Sequence, residues 1–94
     1  MFKYLENKDT VDILRKINKI AECIFKEKTT ITLSKGGYTH SYTIHKHNTE
    51  IANVIKYYDG LYVFIPMFKG NIEFIKAATL ALPDVDIQGV PWTP

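Results

Sequence analysis

Ninety-four residues with a net charge of +2 and one cysteine, Cys23, make a single globular domain over 1–94 that must fold without an intrachain disulfide and cannot build a cysteine-based zinc site. The charges are interspersed in sign along the chain, so electrostatics singles out no partner, and the lone arginine, Arg15, weighs against dedicated phosphate reading. No apolar run approaches the roughly 20 residues of a membrane span, and the first nine residues lack the apolar core of an export signal, which points to a cytoplasmic protein that does not insert in membranes.

Asp9, with Asp12 three residues on, suits the positive end of a helix, and the spacing predicts that helix over 10–28. Ile13, Ile17, Ile20 and Ile24, with Leu14, Ala21 and Phe25, recur at three and four residues and make one apolar stripe. Charges of both signs occupy the outer face. Cys23 flanks the stripe and reads as a small, partly buried hydrophobe, with no catalytic signature around it.

Two strands follow, over 29–34 and 38–46, joined by the flexible Lys35-Gly36-Gly37. Ile31, Leu33, His40, Tyr42 and Ile44 take the inner face, while hydroxyl residues and His45 take the outer one. The stretch 47–58 carries Ile51, Val54, Ile55 and Tyr58 at helical spacing and is predicted as a short helix stopped by Gly60. The competing reading is a strand that pairs with the next one across Asp59-Gly60.

The stretch 61–67, LYVFIPM, is the organising one and reads as the central strand, Leu61, Val63 and Ile65 facing one way and Tyr62 and Phe64 the other, so that both faces need cover. Asn71 is a good cap for a helix over 72–82, with Ile72, Ile75, Ala78, Thr79 and Leu82 toward the sheet and Pro83 as its stop. A short strand over 85–88 then lies parallel to 61–67 through a right-handed crossover. The expected fold is therefore α+β: a small mixed sheet of about four strands with helices mainly on one face, the first and last helices packed against 61–67.

No constellation of catalytic residues stands out, and no cofactor is implied. His45 and His47 share a strand face in this reading, with Glu50 as a third donor, but two imidazoles without a fixed partner set make no metal site. Lys69-Gly70-Asn71 precedes a helix N-terminus, where backbone N–H groups favour an anion, yet it lacks a phosphate-loop pattern.

What exceeds structural need is large amphipathic side chains: Met67 and Phe68 in a loop, Tyr57, Tyr62, and Trp92 in a proline-flanked tail. They suggest a non-enzymatic protein-binding module, an adaptor or inhibitor, contacting a protein partner or a second copy of the chain. Phe, Tyr, Met, Ile, Asn and Lys far outnumber Gly, Ala, Arg and Pro, as in AT-rich genomes, which suits a phage protein acting on a host or defence protein. The alternative is a nucleic-acid surface of Lys16, Lys19, Lys26, Lys35 and Tyr38, with Glu22 and Glu27 diluting it.

Overall fold

In the computed structural model, residues 8–36, 39–57 and 59–91 are described, and the first of them enter an 18-residue helix, α1 (Lys8–Phe25). Leu14, Ile17 and Ala21 are buried, and Ile13, Ile20, Ile24 and Phe25 flank them, as the three-and-four spacing requires. The helix starts before its expected cap and stops at Phe25, where Lys26 takes a left-handed φ of 56° and its N–H donates to the Glu22 carbonyl at 2.8 Å. Among the described residues no helix is long and apolar enough to cross a membrane.

Five strands follow in one mixed sheet: β1 (Thr30–Gly36), β2 (Thr39–Lys46), β3 (Thr49–Tyr57), β4 (Gly60–Pro66) and β5 (Asp86–Val90). Their spatial order is their chain order. β1 through β4 form an antiparallel meander and β5 joins β4 in parallel. The sheet thus has one strand more than the sequence pattern indicates.

The extra strand is β3, which replaces the helix expected over 47–58. Helical and strand templates diverge here at Ile51-Ala52, and a β-bulge resolves the conflict: Ile44 pairs with Ala52 and His45 with Glu50, skipping Ile51 as the extra residue. Beyond the bulge, Ala52 and Val54 alternate inward as in any strand. β3 continues into β4 as the competing hairpin reading has it, although Gly60 pairs with Tyr57 and so lies in the strand. β3, not β4, is therefore the central strand.

After β4, a single 3₁₀ turn (Lys69–Asn71) leads into α2 (Ile72–Ala81). Ala78 and Leu82 are buried as expected, but the phase of α2 is shifted: Phe74 is buried, whereas Ile72 is 43% exposed and Thr79 is exposed. Phe74 wins the inward position because its ring meets the edge of Phe25, at the end of α1, with centroids 5.8 Å apart. The crossover ends in β5, which runs past the predicted 85–88 so that Gly89 pairs with Ile65 instead of interrupting the strand.

Both helices pack on one side of the sheet. Leu14, Ile17 and Ala21 of α1 and Phe74 and Ala78 of α2, with Leu82 just beyond it, share one core with Ile44, Ala52, Val54, Val63 and Ile65. The cover reaches β2, β3 and β4, whose helix-side residues Ile44, Val54 and Val63 are fully buried, and stops short of β1. On β1 the same-side residues Ile31 and Leu33 stay 42% and 45% exposed, although their inward register is as expected.

Candidate functional site

Pairing register and strand alternation divide the sheet into a helix-covered side and a side on which no described element packs. The second side carries Thr30, Thr32 and Ser34 from β1, Ser41, Thr43 and His45 from β2, Asn53, Ile55 and Tyr57 from β3, Tyr62 and Phe64 from β4, and Asp86 and Gln88 from β5. A five-stranded antiparallel or mixed sheet is free to leave one face without helices, provided its side chains suit water or a partner.

This face has two halves. Over β3 and β4, Tyr57 meets Tyr62 edge-on at 5.6 Å between centroids, and Tyr62 stacks on Phe64 at 6.5 Å with 20° between planes. Ile55 stands directly opposite Tyr62. All four are half-buried, and no described element packs over them. Over β1 and β2 the face is hydroxyl-rich, and Asn53 ties it to the aromatic half: Ser41 Oγ donates to Asn53 Oδ1 at 3.1 Å, and Asn53 Nδ2 donates to Thr43 Oγ1 at 2.9 Å.

The charges on this face are acidic: Glu50, opposite His45, and Asp86, whose carboxylate accepts from Gln88 Nε2 at 3.2 and 3.3 Å. Lys46 and Lys56 fall at register positions of the helix side. Lys46 caps the ring of Phe25 at 4.5 Å, with its Nζ 3.8 Å from Glu27. No described strand lysine or arginine side chain offers the open face a cation. The Ser41 and Thr43 hydroxyls, engaged with an amide and not with a base, act as hydrogen-bonding groups.

Of the aromatic and methionine residues expected at an interface, Tyr57 and Tyr62 are brought together here. Met67 and Phe68 sit elsewhere, after β4. Met67, 48% exposed, lies across Gly89, in space that a Cβ there would need, and Phe68 packs against the core and beside Gly70. Trp92 lies outside the described residues. Phe64, Ile55 and Asn53 complete the face without having been singled out by sequence. The alternation of 61–67 does put Phe64 beside Tyr62, but nothing in the pattern says which side the helices leave open.

The basic residues are not gathered with these rings. Lys16 and Lys19 are on α1, Lys26 follows it, and Lys35 stands opposite His40 at the β1–β2 register; Tyr38 lies outside the described residues.

His45 and His47 do not share a strand face. His47 occupies the turn after β2 with φ 57°, and its Nε2 lies 3.2 Å from Glu27 Oε1. His40 is buried on the helix side with neither ring nitrogen hydrogen-bonded. Among the described residues no group of three or more His, Cys, Asp or Glu side chains is placed to hold a metal ion.

Cys23 is exposed, not partly buried as expected. The Lys69–Asn71 turn is likewise not an open anion cradle: the Asn71 N–H donates to the Phe68 carbonyl at 2.9 Å, and its side chain is fully buried. No family model, curated protein or solved structure matches the chain.

Proposed function

We propose that the chain is a small non-enzymatic protein-binding module, an adaptor or inhibitor, whose docking surface is the open side of the sheet. The observation that carries this reading is the Tyr57–Tyr62–Phe64 array, large rings held by one another on a face that no described helix covers. Rings of this kind offer much contact area with few rotatable bonds, and the Ser41–Asn53–Thr43 chain beside them offers donors and acceptors, the combination found in interface centres. Acidic charge with no described strand cation favours a protein over a polyphosphate partner on this side, since nucleic-acid binding draws on phosphate neutralisation. The AT-rich residue usage supports a phage origin, with a host or defence protein in the host cytoplasm as the partner.

The test is affinity capture from host lysate with the parent chain and a Tyr62→Ala/Phe64→Ser variant side by side, each checked for a cooperative melt. A protein retained by the parent and lost by the folded variant is the expected result. Retention of the same protein by both, or micromolar binding of DNA or RNA with a steep salt slope, overturns the reading.

A further inference from the structure

On the opposite side of the molecule, α1 and α2 leave a groove of ≈ 470 Å³ between them, and it stands independently of the sheet-face reading. Its walls come from one flank of each helix, Ile20 and Ile24 of α1 and Ala77 and Ala81 of α2, with Leu82 also on the lining. The two alanines are why the groove exists. Side chains one carbon long on the α2 wall leave space beside Ile20 and Ile24 of α1. Leu80 of α2, outside the groove lining, is 83% exposed, the most exposed of the large hydrophobic residues described.

The only charges on the lining are positive, Lys16 and Lys19, both exposed and one turn apart on α1. Such a trough is matched by a rod with an apolar stripe and acids along one flank. We infer that the α1–α2 groove docks an amphipathic helix of a protein partner, its apolar stripe on Ile20, Ile24, Ala77 and Ala81 and its acidic flank on Lys16 and Lys19. A third helix laid between two others buries its stripe as helix-in-groove recognition does, and the lysines fix its orientation.

Cys23 makes the site directly readable. It lines the groove, is exposed, and is the sole cysteine of the sequence, so a thiol reagent reports occupancy at one known position. The probes are two synthetic helical peptides of about 16 residues with the same leucine stripe, one flanked by glutamates and the other by lysines. The expected result is that the acidic peptide slows Cys23 modification, with a Kd under roughly 100 μM, and the basic one does not. Ala81→Glu, at an exposed groove position, and Lys16→Glu/Lys19→Glu should each weaken the acidic peptide by about tenfold or more. Circular dichroism keeps misfolding apart from lost binding, and if Ala81→Glu fails to fold the exposed lysine pair carries the test alone.

Equal protection by both peptides, protection by neither, or binding untouched by the folded variants overturns the inference. So does protection by dodecanoate without protection by the acidic peptide, which would make the groove an acyl-chain site. Concentration-dependent self-association that shields Cys23 in the absence of peptide would overturn it in favour of a second copy.

Discussion

Asn71 holds the carbonyl of Ile51, 20 residues away, through an Nδ2 hydrogen bond of 3.2 Å, and its second amide hydrogen goes to the Pro66 carbonyl at 2.9 Å. Ile51 is the bulge residue of β3, skipped in the β2 ladder between Glu50 and Ala52. The amide therefore supplies a donor to backbone that the bulge has disturbed, and ties the centre of the sheet to the end of β4.

Asn71→Ala removes both donors from a fully buried place and leaves two carbonyls with less to accept. A loss of about 2–4 kcal/mol is expected, from roughly 1–3 kcal/mol for each buried group left unsatisfied. Asn71→Asp should be at least as damaging, since it sets a carboxylate against two carbonyl oxygens. Urea denaturation midpoints of the two variants check this, and a midpoint within error of the parent for either would show the clamp to be idle.

Phe74→Ala and Ile72→Ala decide the phase of α2. Phe74 is fully buried against Phe25, so its truncation should cost about 3–5 kcal/mol. Ile72, two residues earlier and 43% exposed, should cost under about 1 kcal/mol. Thermal melts with the reverse ranking would restore the inward Ile72 that the sequence pattern suggests.

Val63→Asp and Phe64→Ser test the two faces of one strand. Val63 is wholly inside the core, and an unpaired carboxylate there costs several kcal/mol of a typical stability of roughly 5–15 kcal/mol, enough to lose the cooperative melt. Phe64 is half-buried and stacks on Tyr62 on the open face, and its loss should cost about 1–2 kcal/mol. Circular dichroism melts that showed the two variants equally damaged would mean that the sheet is covered on both sides.

Lys26→Gly should be stabilising. A side chain at φ 56° costs about 1 kcal/mol relative to glycine, and Lys26 is exposed, with its N–H already closing the helix onto Glu22. A gain of about 0.5–1 kcal/mol by denaturant titration is expected, with Lys26→Ala near neutral as the control. A destabilised Lys26→Gly would mean that the lysine side chain contributes a contact worth more than its backbone strain.

The sequence announces its layers better than its registers. The α1 stripe, the β1–β2 alternation and the β4–α2–β5 crossover are each legible because one periodicity runs unbroken for the length of the element. β3 is not, because the bulge at Ile51 inserts one residue, and a strand with one added residue mimics the three-and-four spacing of a helix. The α2 phase was hidden for a different reason: Ile72 and Phe74 are both large and apolar, and only the position of Phe25 on another element chooses between them. The candidate face was half legible. Tyr57 and Tyr62 stand out by composition, but which side of the sheet the helices take is a property of the assembled chain.

The order of the strands also sets how the molecule is assembled in time. β1, β2, β3 and β4 each lie beside their immediate neighbour in the chain, so most of the sheet forms from short hairpins whose closure costs little entropy. Only β5, returning through α2, and α1, folding back over strands that follow it, require distant segments to meet. The Asn71–Ile51 contact, 20 residues apart in the chain, belongs with these longer closures and not with the hairpins.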